Sequence, residues 1–213
     1  MKTNGKNLKA SASGPLLFHL FHVQMQSVIC FALMAVNGFA AVRYVNLNNP
    51  NPVPPYTSWA TAAVNIQDAI DASATGDEVL VTNGIYATGG RVAAGSALTN
   101  RILVDKPIVV RSVNGAQVTF IQGYQVPDST YGDSAIRCAY LAPRATLSGF
   151  SLTNGATRNV AAFTDSYGGA VCCESSNSVV ADCILSQLLA SAHPPTRLNR
   201  ALCALFNAAR CLS

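Results

Sequence analysis

The sequence of 213 residues is half hydrophobic and only 11% charged, which excludes an intrinsically disordered protein because such chains bury too little apolar surface to fold. Its formal net charge of +4 comes from the two ends of the sequence. Between Ala41 and Ser186, seven arginines and Lys106 stand against ten acidic residues. This central region is therefore not expected to present the basic face that nucleic acids bind.

Residues 1–40 have the pattern of a signal peptide. Basic residues precede an apolar run from Ser27 to Ala40, and Gly38 and Ala40 are the small residues typical of a cleavage site. The run has 14 residues, fewer than the ~20 that span a bilayer. We therefore expect cleavage after Ala40 and a protein that is secreted or held at the cell surface. An uncleaved membrane anchor is the alternative.

The residue types that usually bind metals form no recognisable pattern. All three histidines, His19, His22 and His193, lie outside the central region, so histidine-based catalysis or metal binding is not expected within it. The seven cysteines do not have the spacing of a zinc site. We interpret those of the central region as small buried side chains.

The central region begins with residues 41–59, an extended segment in which one alternating strand leads into a run rich in proline and asparagine. Residues 60–74 are predicted to form an amphipathic helix. Ile66 and Ile70 lie on its apolar side, and Gln67 lies on its polar side. An amphipathic helix implies an apolar surface that it covers.

Short strands are predicted from the end of this helix to Ser186. Glycine, asparagine, proline and aspartate separate them. No second helix is predicted among them, which excludes an alternating βαβ fold. The predicted strands are residues 78–82, 101–104, 108–113, 118–121, 135–141, 146–153, 170–173 and 179–185.

Several strands end in the same dipeptide. Residues 79–84 (VLVTNG), 110–115 (VRSVNG) and 150–155 (FSLTNG) each finish with Asn-Gly. In a solenoid each strand pairs with its equivalent one coil away, and then turns a corner within a few residues. Asparagine and glycine tolerate the left-handed backbone angles of such corners, and stacked asparagines satisfy backbone groups there.

A finer similarity also indicates stacked coils with a period in the thirties. It aligns Cys138 with Cys173, which leaves a disulfide between neighbouring coils open. The alternative is a β-sandwich with Asn-Gly hairpins, but a hairpin requires a partner strand directly after the turn. The similar segments are 128–141 with 165–176, and 145–153 with 178–186.

Residues 65–86 (NIQDAIDASATGDEVLVTNGIY) and 102–123 (ILVDKPIVVRSVNGAQVTFIQG) resemble the beginning of right-handed parallel β-helix proteins of the pectin-lyase-like superfamily. The region from Tyr44 to Ser186 is covered by this resemblance. It implies an all-β fold, a right-handed parallel β-helix over residues 60–186 with a short capping helix at its N-terminal end. It is specific for the fold and not for the chemistry, because this fold carries many functions.

The end of the sequence departs from the family pattern. The tail, residues 187–213, has no acidic residue and no Asn-Gly corner. It is interpreted either as a truncated or frame-shifted end, or as a genuine cap with Leu198, Leu202, Leu205 and Phe206 on one helical face. In addition, only about four coils are present, which is fewer than in complete solenoids of this kind.

The resemblance implies a candidate reaction, in which a lyase removes a proton beside a uronate carboxylate with the help of calcium and a basic residue. Asp128 and Asp165 are the calcium candidates, because calcium takes several oxygen ligands and the two loops share an edge if the coils stack. Turn capping by these aspartates is the alternative. A hydrolase is disfavoured because the paired aspartates that it needs are missing.

In this hypothesis Arg137 or Arg158 approaches a sugar carboxylate. Tyr131 and Tyr167 either stack against sugar rings or pack on the loops. The candidate ligand-binding residues are Asp128, Tyr131, Asp133, Arg137, Arg158, Asp165 and Tyr167. We expect a non-catalytic secreted or cell-surface protein that binds an extracellular glycan or another surface component through its loops. A uronate lyase and a truncated, non-functional fragment are the alternatives.

Overall fold

Short strands joined by tight corners make up most of the backbone. The computed structural model describes Met1 and residues 40–129, 132–160 and 162–187, so the predicted leader, the tail beyond Gln187 and Tyr131 lie outside the described residues. Two short helices are present, α1 (Ile66–Asp71) and α2 (Phe163–Ser166). In chain order the strands are β1 (Val42–Val45), β2 (Glu78–Val81), β3 (Gly84–Tyr86), β4 (Arg91–Val92), β5 (Thr99–Val104), β6 (Val109–Ser112), β7 (Thr119–Gln122), β8 (Ile136–Leu141), β9 (Thr146–Ser148), β10 (Ser151–Thr153), β11 (Val171–Cys173), β12 (Val179–Ala181) and β13 (Ile184–Ser186).

The strands form three sheets that the chain visits in turn. Sheet A has the order β1-β2-β6-β9-β12, sheet B the order β3-β7-β10-β13, and sheet C the order β4-β5-β8-β11. Neighbouring strands are parallel, apart from the antiparallel pair β4 and β5. Each parallel neighbour in a sheet therefore lies one coil further along the chain. The fold is a parallel β-solenoid of about four turns, which confirms the predicted all-β parallel β-helix.

Alternate residues of the strands fill the interior. Val79, Val110 and Leu147 lie opposite one another on three successive strands of sheet A, and none of them is exposed. Ile121 and Leu152 stack in the same way in sheet B. Side chains alternate along a strand and coils repeat about every 4.8 Å, so each coil adds one residue to every such row. Each fully buried side chain contributes ~1.5–3 kcal/mol, which makes these rows the main source of cohesion between coils.

The Gly-Asp pair before β2 closes the N-terminal end of the solenoid. Gly76 has a φ of +91°, which glycine adopts at little cost. The Asp77 carboxylate is buried and accepts hydrogen bonds from the backbone N–H groups of Ala41 and Ala74, both at 2.8 Å. It also forms an ion pair with Arg43 at 3.2 Å. One carboxylate thus joins the extended N-terminal segment, the end of the helical region and the first coil.

The helix predicted over residues 60–74 is interrupted. A 3-10 turn spans Trp59–Thr61, the chain then becomes extended, and α1 begins only at Ile66. The extended residue Ala63 donates its N–H to the Tyr44 carbonyl at 2.9 Å, which supplies a partner for the free edge of β1. The need of that edge for hydrogen bonds overrides the helical periodicity. Within the described parts of the chain, no helix is long and apolar enough to cross a membrane.

The Asn-Gly corners are of two kinds. Asn83 and Asn114 both lie at the corner between sheets A and B, and the Asn114 amide donates to Asn83 Oδ1 at 2.7 Å. Asn154 instead follows β10, where the chain leaves sheet B. In the later coils Gly149 (φ +78°) and Asp182 (φ +51°) occupy the A–B corner. The sequence predicts a single strand where the structure has β9 and β10, and another where it has β12 and β13, because neither corner carries Asn-Gly.

The strand register tests the predicted alignments of the coils. The offset of 33 residues is confirmed, since Thr146 lies opposite Val179. The alignment of Cys138 with Cys173 is wrong, because Cys173 lies opposite Leu141. The four cysteines in the described parts of the chain are all free thiols. The register therefore gives no support to a disulfide between Cys138 and Cys173.

Candidate functional site

The predicted site residues lie in and beside three segments that precede strands of sheet C: one joins β4 to β5, and the other two connect sheet B to sheet C in the next coils. We call residues 93–98, 123–135 and 154–170, as far as they are described, the loop layer. The layer has a small apolar cluster of its own, which is buried and to which the half-buried Val126 packs. The cluster consists of Leu98, Ala135 and Ala156. The loops are thus packed against one another, which fixes the positions of the polar residues that they carry.

Arg158 brings two predicted aspartates together. Its Nε and Nη2 atoms donate to Asp133 Oδ1 at 3.0 and 2.7 Å, and its Nη1 atom donates to Asp165 Oδ2 at 3.1 Å. The Asp133 side chain is 85% exposed, whereas that of Asp165 is 4% exposed. The hydrogen bonds that Arg158 donates to Asp133 and then to Asp165 raise the pKa of its guanidinium. Arg158 therefore links a solvated carboxylate to a buried one.

Asp165 holds together loops from different coils. Its Oδ1 atom accepts a hydrogen bond from Ser96 Oγ at 2.5 Å, and its Oδ2 atom accepts one from the Ala97 N–H at 3.0 Å. Burial raises the pKa of Asp165, but the hydrogen bonds from Ser96, Ala97 and Arg158 outweigh burial and leave the pKa below its usual value. The carboxylate is therefore ionised at neutral pH, with both oxygens engaged by the protein.

Arg137 does not occupy the place that was expected of a sugar-binding group. The residue is fully buried. Its guanidinium donates to the backbone carbonyls of Gly168 at 3.0 Å and Tyr167 at 2.8 Å, and to Asn100 Oδ1 at 2.9 Å. Burial lowers its pKa, while Cys172 and Asp165 nearby oppose that shift. The donors of Arg137 thus fasten the third loop to sheet C, and its contact with a substrate carboxylate stays a prediction.

Asp128 and Asp165, the two predicted calcium ligands, lie in different environments. Asp128 is exposed in the second loop with a φ of +67°, whereas Asp165 is buried and bonded to the first loop and to Arg158. Among the residues that the structure describes, no three His, Cys, Asp or Glu side chains are grouped as metal ligands. A calcium-binding role for either aspartate stays a prediction.

Only one of the two tyrosines proposed to stack on sugar rings lies among the described residues. Tyr131 lies outside the described residues. Tyr167 is half-buried, and its backbone carbonyl accepts a hydrogen bond from Arg137. Of the seven candidates, the structure thus joins Asp133, Arg158 and Asp165 directly and attaches Tyr167 through Arg137.

The outward face of sheet A is a second candidate surface, which the sequence reasoning missed. Residues that alternate with the buried rows form two outward rows in register across all five strands. Glu78 and Arg111 are the charged members, and they form an ion pair at 2.8 Å. The first row is Val42, Glu78, Val109, Thr146 and Val179, and the second is Tyr44, Leu80, Arg111, Ser148 and Ala181.

An aromatic pair lies at the N-terminal end of this face. The rings of Tyr44 and Trp59 meet edge to face with their centroids 4.5 Å apart. Trp59 is 42% exposed. Alternation puts Val42 and Tyr44 on one side of β1, but their apolar character would predict the core for that side, whereas the structure buries Val45 instead. The contact of Trp59 with Tyr44 was not predictable, because the predicted helix over residues 60–74 would place Trp59 directly before its first turn.

Comparison with known proteins gives no assignment, because no protein-family model, no curated protein and no solved structure matches this chain.

Proposed function

We propose that this chain is a non-catalytic β-solenoid protein of the pectin-lyase-like kind, which works outside the cell and binds glycans or other surface components. One observation supports this proposal: buried charged side chains of the chain form hydrogen bonds within the protein. Arg137 and Asp165 are buried, and their polar atoms bond to the protein itself. A non-catalytic role is consistent with charges that hold loops in place.

The chemistry of uronate cleavage requires charged groups that are free to contact the substrate. A lyase needs a cation that neutralises the substrate carboxylate and a base that removes the neighbouring proton. Arg137 has no access to solvent, and Asp165 accepts hydrogen bonds on both oxygens. Neither group is placed to contact a bound sugar without rearrangement of the loop layer.

A uronate lyase is the second candidate, and one observation favours it. Arg158 is 19% exposed at its side chain, and its partner Asp133 is 85% exposed. An exposed ion pair is worth ~0–1 kcal/mol, so a substrate carboxylate would replace Asp133 on Arg158 at little cost. The rest of the mechanism has no residue assigned to it.

The extracellular location rests on the leader pattern of residues 1–40. Its test is expression of the full chain in a bacterium, followed by N-terminal sequencing of the protein recovered outside the cytoplasm. The proposal expects a mature chain that begins at Ala41. An intact N-terminus in the cytoplasmic fraction would contradict export.

The binding function is tested with the purified full chain and insoluble or gel-embedded polysaccharides. Neutral glycans and polygalacturonate are each offered with and without calcium, while ultraviolet absorbance follows the formation of unsaturated uronate. The proposal expects retention on at least one glycan without any unsaturated product. Product formation would support the lyase instead, and an absence of both binding and product would overturn both candidates.

A further inference from the structure

We infer that the outward face of sheet A, with Trp59 and Tyr44 at its N-terminal end, binds an uncharged glycan chain that lies along the solenoid axis. This inference rests on the proposed glycan-binding function and names its surface and ligand class. The surface is separate from the loop layer, where the sequence placed the candidate residues.

The shape of the face suits an extended polymer. Five parallel strands in register present two outward rows, and four spacings of about 4.8 Å give a length of about 19 Å along the axis. Val109 and Val179 in one row are 37% and 42% exposed, so the face is open to solvent.

The charge of the face selects an uncharged ligand. Glu78 and Arg111 are the only charged residues among the ten outward positions, and they neutralise each other at 2.8 Å. A polyanion such as a nucleic acid or polyuronate needs cations that are free to contact it. Thr146 and Ser148 offer hydroxyl groups that donate and accept hydrogen bonds. Such a mixture of hydroxyl and aliphatic groups complements sugar hydroxyls and the apolar faces of sugar rings.

The aromatic pair supplies an end point for the chain. Tyr44 packs edge to face against Trp59 at 4.5 Å, which holds the indole in one orientation. The exposed part of Trp59, 42% of its surface, remains available for stacking. An exposed aromatic that another ring holds rigid loses little conformational entropy on binding.

The area of the face argues against a second copy of this chain as the occupant. Two rows about 7 Å apart and about 19 Å long enclose a surface of about 130 Å². A stable protein–protein interface buries ~800 Å² on each partner. The face alone is thus too small for a dimer, whereas it accommodates a few sugar units.

The test uses the only tryptophan of the sequence, Trp59. Its emission is followed while the purified full chain is titrated with soluble cellulose ether, galactomannan, amylose and polygalacturonate. We expect a change in emission with at least one neutral glycan and none with polygalacturonate. Binding measured by affinity electrophoresis should weaken about tenfold or more in Trp59→Ala.

Two further variants keep the test sharp. Ile85→Ala is the matched control, because Ile85 lies on β3 of sheet B, outside the face and the loop layer, and is 56% exposed; it should bind like wild type. Ser148→Arg adds a charge to the face on β9, next to Arg111 in the same row, without touching the core, and it should abolish binding even if Trp59→Ala misfolds. Sedimentation of wild type and Ser148→Arg should give a monomer in both cases.

The outcomes separate this inference from the broader function. If a glycan binds but Trp59→Ala and Ser148→Arg bind it equally well, the inference is overturned while the proposed function stands. Binding confined to polygalacturonate, or a wild-type dimer that Ser148→Arg dissociates, also overturns it. If no glycan binds wild type, the proposed function and the inference both fall.

Discussion

Gln67 on α1 and Leu103 on β5 are joined by two hydrogen bonds that replace a missing strand. The Leu103 N–H donates to Gln67 Oε1 at 2.7 Å, and Gln67 Nε2 donates to the Leu103 carbonyl at 3.2 Å. The short strand β4 pairs with only Thr99 and Asn100 of β5, so Leu103 lies beyond its reach. A side-chain amide has both the donor and the acceptor of a peptide group. Gln67 therefore covers a strand edge that would otherwise invite pairing with another chain.

Replacement of Gln67 by leucine should destabilise the fold by about 2–4 kcal/mol, because the N–H and the carbonyl of Leu103 both lose their partner while remaining buried. The measurement is the free energy of unfolding in urea at neutral pH. Gln117→Leu is the control, since Gln117 is exposed at a corner and its substitution should change stability by less than about 0.5 kcal/mol. Equal urea midpoints for the two variants would refute this role of Gln67.

Asp165→Asn should cost about 2–4 kcal/mol, because it removes a buried charge that is hydrogen-bonded and leaves Arg158 without its inner partner. Asp133→Asn makes the matched comparison on the same arginine. The Asp133 side chain is 85% exposed, and a pair of that kind contributes ~0–1 kcal/mol. Urea unfolding of both variants at neutral pH gives the two values. Similar losses in both would contradict the assignment of Asp165 as the inner anchor.

The same substitution has a predicted pH dependence. The pKa of Asp165 is lowered in the folded protein relative to its usual value of 3.8, so the unfolded chain takes up a proton first as the pH falls. The stabilisation from Asp165 is complete above that usual pKa and is lost as the pH drops through the folded pKa. The difference in unfolding free energy between wild type and Asp165→Asn should therefore shrink below about pH 4. A difference that stays constant down to about pH 2 would be incompatible with this linkage.

Features that depend on the local residue pattern were predictable from the sequence, whereas contacts with residues of distant coils were not. Alternation predicted the buried rows, because residues two apart share a face of a strand. The partner of Asp165 was not predictable, since Ser96 lies 69 residues away in a loop without any local signal. The Cys138–Cys173 alignment is wrong for a similar reason. The similar residues around the two cysteines suggested that they lie opposite each other, but Cys173 lies opposite Leu141. The loops differ in length between coils, so this similarity does not give the strand register.

Gly155→Ala should destabilise the fold by about 3 kcal/mol or more, through overpacking within the third loop and against Cys138 of the preceding coil. A Cβ atom at Gly155 would collide with the Gly169 carbonyl oxygen and would lie 2.8 Å from Cys138 Sγ. Gly95→Ala is the control: nothing lies within 4 Å of its Cβ position, and its φ of +73° costs about 1–2 kcal/mol. Thermal and urea unfolding compare the two. If Gly155→Ala is no less stable than Gly95→Ala, the close packing of these coils is refuted.

Cys138 should make the folded protein less stable as the pH rises above about 9. Burial raises the pKa of its thiol to about 12, against the usual 9.0, although hydrogen bonds at Gly123 and Thr153 oppose that shift. Between these two values the unfolded chain loses a proton that the folded protein keeps. The group therefore contributes its full stabilisation below about pH 9, and that contribution declines toward pH 12 by on the order of 1 kcal/mol per pH unit. Urea unfolding of wild type and Cys138→Ala over this range tests the slope, which should be shallower in the variant. Ser148→Ala, which alters an outward hydroxyl and no thiol, should keep the wild-type slope. If wild type and Cys138→Ala decline in parallel, the thiol is already ionised or exposed in the folded state, and the buried position of Cys138 beside the third loop is wrong.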